Sequence, residues 1–312
     1  MRAFALDAFG QPGSIHDLQE PEPADGQVRV RAAAASLNPF DNVVLQGYLK
    51  DRMEHRFPLV PAGDFSGTVD ALGSGVTGYS VGDPVFGVTG KMYFGEGTLA
   101  EKTTASAETI AKRPLSLSDV EAAALPLAGV SALMCVDTAA PKPGDVVVVI
   151  GASGGIGSYA VQIAKARGAH VIGVTRTANI DYVKGLGADE VVDRTAGDVV
   201  AAIRSRHSDG VAAIIDTGSD AASLAALGKA VRKGGTVISM KGAAAPDELE
   251  KHGIKGVNLQ TQVNTERLET LAKLSAEGKL KAPRIHRFPL DKANEAFQLL
   301  GQTDGKIVVT IT

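Results

Sequence analysis

The chain has 312 residues, 44% of them hydrophobic and 21% charged, with a formal net charge of −3. That length supports more than one core, and a slightly acidic balance without basic blocks gives no electrostatic reason to bind nucleic acid or an anionic membrane. The single cysteine, Cys135, excludes an internal disulfide framework. No apolar stretch approaches the roughly 20 residues of a membrane-spanning helix, and Asp7 interrupts what would be the apolar core of a secretory signal. Small-molecule partners and a cytoplasmic location are therefore expected.

Residues 1 to about 113 are rich in short alternating segments and glycine turns, as at 27–33, 68–72 and 81–88, which predicts an all-β, barrel-like region. The character changes near Pro114. Ser118-Asp119-Val120-Glu121 is a capping box that opens an alanine-rich helix, and strand–helix alternation then runs to about residue 257. Six strands are expected there, at 146–150, 170–175, 190–193, 211–216, 235–239 and 256–259. Helices at 266–277 and around 292–300 follow. A closing strand at 306–311 is expected to rejoin the N-terminal region. The fold class is α/β, with a β-barrel domain and a doubly wound parallel-sheet (Rossmann) domain. There is no internal repeat and no low-complexity tract.

The most informative stretch is Gly151-Ala152-Ser153-Gly154-Gly155-Ile156-Gly157, which follows the run Val146-Val147-Val148-Val149-Ile150 and opens a segment of helical periodicity from Ser158 to Arg167. Small residues let the chain leave a buried strand tightly and bring backbone N–H groups to a pyrophosphate at the positive end of a helix dipole. Ile156, Ala160, Ile163 and Ala164 share one helical face, Gly168 supplies a left-handed cap, and the next strand follows at once. This is one strand–helix–strand dinucleotide unit. Ser153, Gly154, Gly155, Ile156 and Gly157 are the cofactor-binding candidates. The same letters also spell the Gly151-x-Ser153-x-Gly155 elbow of an α/β hydrolase, with Asp216 and His252 or His286 as partners. An elbow leaves Gly154 and Gly157 unexplained.

The second strand ends in Thr175-Arg176-Thr177. An NAD site usually places an acid there for the ribose hydroxyls. The nearest acid in sequence is Asp181, whereas Arg176 offers a planar fork for a 2′-phosphate, flanked by two threonine hydroxyls. NADPH is favoured over NADH.

Five further segments occur in order: Ser36-Leu37-Asn38-Pro39-Phe40-Asp41, Pro61-Ala62-Gly63-Asp64-Phe65-Ser66-Gly67, Gly82-Asp83-Pro84-Val85-Phe86, Ala123-Ala124-Leu125-Pro126 and Gly305-Lys306-Ile307-Val308-Val309. With the glycine turn, they make the chain similar over nearly its whole length to zinc-free members of the medium-chain dehydrogenase/reductase superfamily, in the quinone oxidoreductase (zeta-crystallin-like) family. The resemblance implies a GroES-like β-barrel catalytic domain formed by residues 1–117 and 258–312, a dinucleotide-binding domain at 118–257, and an active cleft between them. It also implies a homodimer, and it adds Gly218 and Lys306 to the cofactor-binding candidates.

Zinc-dependent relatives polarise an oxygen with a metal held by cysteine and histidine. Here Gly63 stands where the histidine is expected and Asn38 or a neighbour where the cysteine is expected, and no four-cysteine lobe exists. No metal site is expected, and the six histidines read as surface residues or structural donors. A short-chain reductase is disfavoured because none of the five tyrosines has a lysine four residues later. Without a metal, the expected reaction is hydride delivery to a quinone or an enone, which spreads charge over conjugated oxygen and needs positioning and a hydrogen-bond donor. Asn38 and Tyr48 match family cleft positions and are the candidate donors, with Asp41 orienting its neighbours. An NADPH-binding regulatory protein with little turnover is the competing class.

Overall fold

The computed structural model describes residues 1–311. Two compact units form, one from Met1–Leu127, Val263–Gly278 and the tail from Ala282, the other from Ala128–Gln262 with Lys279–Lys281.

The first unit is built around one long strand, Gln27–Leu37, whose core-facing positions are almost entirely Val and Ala. One edge pairs antiparallel with Asp64–Leu72; the other is shared, residues 27–31 pairing with Lys102–Ser106 and residues 34–37 with the tail strand Lys306–Thr310. A register irregularity between Ala32 and Ala34 accompanies the change of partner. The sheet continues through Pro84–Val88 to Ile110–Lys112 on one side and to Ile285–Pro289 on the other. The expected strands at 27–33 and 68–72 are thus longer than their alternation suggested, and the tail strand does rejoin the N-terminal region.

The second unit holds six parallel strands, Val146–Ile150, His170–Thr175, Glu190–Asp193, Val211–Asp216, Val231–Ser239 and Lys255–Asn258. Their spatial order is third, second, first, fourth, fifth, sixth, so the order reverses between the first and fourth strands, where dinucleotides bind in such sheets. Val147, Val148 and Val149 are fully buried, as expected of a parallel strand covered on both faces.

The observed units differ from the expected domains at three places, one of them Lys279–Lys281, which falls in the second unit. The capping box forms, with Glu121 N donating to Ser118 Oγ and Ser118 N to Glu121 Oε2, but its helix ends at Ala123. Pro126 cannot continue a helix and instead occupies the first position of the next, Pro126–Ala139. The short helix belongs to the first unit: Ala123 and Ala124 pack with Ala34 and Val308, and Ser66 Oγ donates to Asp119 at 2.8 Å. Residues 258–262 stay with the second unit, where Leu259 N donates to Ser239 O and the Ser131 and Thr261 hydroxyls meet at 2.6 Å.

Candidate active site

In the second unit the first strand leaves its sheet at Gly151, whose φ of +74° favours glycine and where an added Cβ would lie 2.5 Å from Thr217 Oγ1. Gly157 is tighter still, its Cβ falling 2.1 Å from the Gly151 carbonyl oxygen. These contacts press the helix Gly155–Ala166 onto the end of its strand. Gly154 is the N-cap and carries no side chain to cap the first turn, which leaves the N–H groups there available to an anion. A pyrophosphate fits this cradle. Gly218 sits across the switch point: Thr217 Oγ1 donates to Ile150 O at 2.8 Å, and no atom lies within 4 Å of a Cβ built at Gly218.

Ser153 is part of the same scaffold, its hydroxyl accepting from Thr175 Oγ1 at 3.0 Å and Asn179 Nδ2 at 3.3 Å. The acid of the hydrolase reading is also committed: Asp216 accepts from the Gly218 and Ser219 amides and from Ser239 Oγ. At the end of the second strand, Arg176 is exposed and begins the turn Thr177–Asn179. Thr175 is buried, and Thr177 donates its hydroxyl to Asp193 at 2.5 Å. Neither threonine therefore presents the free hydroxyl expected from sequence. Asp193 is the acid that sequence distance concealed: parallel register sets it beside Thr175, and hydrogen bonds from Thr177 and Thr195 hold its carboxyl below the usual range.

The first unit brings Asn38, Asp41 and Lys306 together with Asp64, a residue absent from the sequence-based candidates. Lys306 is buried, and its Nζ donates to Asn38 Oδ1 at 2.5 Å and to Leu37 O at 3.0 Å, with Asp64 Oδ2 at 3.7 Å. Asn38 Nδ2 donates to Asp64 Oδ2 at 3.0 Å, and the Asn38 backbone N–H donates to Asp41 Oδ2 at 2.7 Å. Burial pushes the Asp64 carboxyl up and the Lys306 ammonium down, and each charge opposes the other's shift. Burial likewise raises Asp41, from 3.8 to about 7. Lys306, expected beside the cofactor, instead spends its ammonium within this barrel network. The signal was available: a lysine heading the buried run Ile307-Val308-Val309 must find a partner if it is buried with them. Tyr48 stands apart, 75% exposed, after the helix Pro39–Leu45.

Residues 24–115 match the GroES-like domain of alcohol dehydrogenases, and residues 155–276 match the zinc-binding dehydrogenase family. A chloroplast envelope quinone oxidoreductase homolog of Arabidopsis thaliana is 32% identical over 99% of this chain and 98% of its own. The chain belongs to the quinone oxidoreductase family of the medium-chain dehydrogenase/reductase superfamily. The quinone oxidoreductase of Coxiella burnetii has the same fold, with a TM-score of 0.88 and 32% identity over 100% of this chain and 99% of that one. A 2-methylene-furan-3-one reductase of Solanum lycopersicum is 32% identical over 99% of this chain and 79% of its own. Membership makes this protein an oxidoreductase, and the family implies a nicotinamide cofactor for which the glycine cradle is suited.

Proposed function

We propose that the protein is a zinc-independent, NADPH-dependent reductase that passes hydride to a quinone or an α,β-unsaturated carbonyl. The observation that carries this reading is the Lys306–Asn38–Asp64 network. Asn38 or a neighbour stands where the resemblance expects a zinc-binding cysteine, and a lysine ammonium already lies 2.5 Å from its amide oxygen. A second cation there would meet like-charge repulsion at low dielectric. The lone cysteine, Cys135, lies in the helix Pro126–Ala139, where burial pushes its thiol up to about 12, far from the thiolate that binds metal.

NADPH preference rests on Arg176, whose side chain has no hydrogen bond or ion pair among the described residues. Asp193 opposes it. A charge-assisted hydrogen bond from Arg176 contributes about 1.5–3 kcal/mol, and the Asp193 carboxylate is already engaged by the Thr177 and Thr195 hydroxyls, which favours the arginine. When bound, the cofactor supplies hydride from its nicotinamide. The protein's own contribution is to hold donors for the oxygen that gains charge. Asn38 is fixed by Lys306 and Asp64 and keeps a second amide hydrogen; Tyr48 carries a phenol unencumbered by other described residues. Phe40, 48% exposed, with its ring 5.9 Å from that of Phe94, offers an apolar surface suited to a flat acceptor. The Arabidopsis and tomato relatives are named for a quinone and for a conjugated ketone respectively.

The test is NADPH oxidation with a panel of quinones and enones, repeated with Tyr48→Phe and Asn38→Ala. Losing one donor is expected to cost about tenfold to a thousandfold in kcat/KM while NADPH binding is unchanged. Full turnover in both variants would remove these residues from the reaction, and a protein that binds NADPH but turns over neither class would be a regulatory binder instead.

A further inference from the structure

The second unit carries a cluster of metal-ligating side chains well removed in the sheet from the nucleotide turn. His170 and Glu190 are the first residues of the second and third strands. The register pairs Glu190 with Ile172, and residues 170 and 172 share a face because side chains alternate along a strand, so His170 and Glu190 project on the same side of the sheet. The helix Val199–Arg206 ends at His207, which closes over them. His170 Nε2 and His207 Nε2 each lie 2.8 Å from the same oxygen, Glu190 Oε1, and the three ligand atoms fall within 4.8 Å of one another. All three residues are half-buried and reachable from solvent. The strands' amino ends form this edge, opposite the carboxyl ends that carry Gly151 and Gly218.

We propose that His170, Glu190 and His207 form a binding site for a divalent transition metal of the zinc class, distinct from the positions at which zinc-dependent relatives hold theirs. Two imidazole nitrogens facing one carboxylate oxygen require a positive group on each approach. Two N–H protons supply it without metal, and one cation supplies it with metal. Metal–nitrogen and metal–oxygen distances near 2.0–2.2 Å need ligand atoms roughly 3.3–3.5 Å apart, so each 2.8 Å contact opens by about half an ångström, within side-chain adjustment. Imidazole donors select zinc, copper or nickel over magnesium and calcium, and a His₂Glu set with solvent access leaves the fourth position to water.

The surrounding groups are those that orient such ligands. Arg206 Nη1 donates to Glu190 Oε2 at 3.0 Å, leaving Oε1 as the single ligating oxygen. Asp189 Oδ2 lies 3.9 Å from His170 Nδ1 and is itself fixed by the Val171 amide at 2.7 Å, with Lys165 on the same carboxylate at 2.8 Å. The arginine charge also weakens the site, so binding is tested up to well above micromolar zinc. Occupancy would tie two strand starts to a helix end at the sheet edge and stabilise the fold without entering the reaction.

Tag-free protein should bind one zinc ion, measured by competition with a chromogenic chelator, and its melting temperature should rise with zinc and not with magnesium. His170→Gln and His207→Gln, which leave side chains able to hydrogen-bond Glu190, should each weaken zinc by at least about tenfold and leave turnover as in the unsubstituted enzyme. A measurement on the unsubstituted protein guards against variants that fail to fold: zinc should protect His170 and His207 from diethyl pyrocarbonate, mapped by mass spectrometry, while exposed His252 stays reactive. No binding up to about 100 µM zinc, a concentration that would nearly fill a micromolar site, overturns the proposal. So does zinc binding that spares neither histidine from modification.

Discussion

Arg176 and Asp41 are the two side chains whose chemistry is most exposed to test. Arg176→Asp replaces the proposed phosphate ligand with a charge that repels phosphate, so NADPH affinity should fall tenfold to a hundredfold or more, from a loss of about 1.5–3 kcal/mol, while NADH affinity changes little. Equal affinity for the two cofactors in the unsubstituted protein would remove the basis for this expectation. Asp41 makes a pH-dependent contribution because burial raises its carboxyl from 3.8 to about 7. The folded chain keeps that proton up to about pH 7 and the unfolded chain loses it near pH 4. Between those values the folded state binds more protons, so stability falls as pH rises, by up to about 4 kcal/mol from this group. Asp41→Asn keeps an acceptor for the Asn38 N–H and cannot ionise. Its unfolding free energy, measured in urea at pH 5 and pH 8, should gain on the unsubstituted protein at the higher pH. An identical difference at both values would mean that Asp41 does not titrate in this range.

The turn between the first strand and the helix Gly155–Ala166 works through distance more than through any one bond. At Gly157 a Cβ would sit 2.1 Å from the backbone oxygen of Gly151, whereas at Gly154 the same oxygen is 3.3 Å away. Backbone cannot yield as a flexible side chain can, so Gly157→Ala must push the helix off its strand. The expected cost is about 1–3 kcal/mol of stability, with NADPH binding weakened more than tenfold, and Gly154→Ala should do less on both counts. Thermal unfolding and nucleotide titration of the two variants check this ranking, and a reversed order would mean that the cradle is not set by helix–strand approach. This element was legible early because its requirements are local: a valine run, a string of small residues and a helical face lie within about twenty positions. The helix opened by Ser118 was legible at its start, and the structure supplies its end at Ala123, with Pro126 beginning another.

For the whole molecule, the proposed zinc independence predicts that treatment with a strong chelator leaves kcat unchanged, even where it removes zinc from His170, Glu190 and His207 and lowers the melting temperature. Loss of turnover on chelation, restored by zinc, would show that metal takes part in the reaction. The architecture was largely written in the chain: parallel strands covered on both faces read as hydrophobic runs, alternating barrel strands read as period two, and the turn residues punctuate both. Local pattern could not say which distant groups share a site. Asn38, Asp64 and Lys306 are up to 268 positions apart, and only the pairing of Lys306–Thr310 with Gln27–Leu37 brings the ammonium to the amide. Asp193 reaches Thr177, and Glu190 reaches His170, because neighbouring parallel strands place residues far apart in sequence side by side. Periodicity and turn chemistry act over a few residues and so determined the elements. Strand register and burial act across the fold and decided which charges meet.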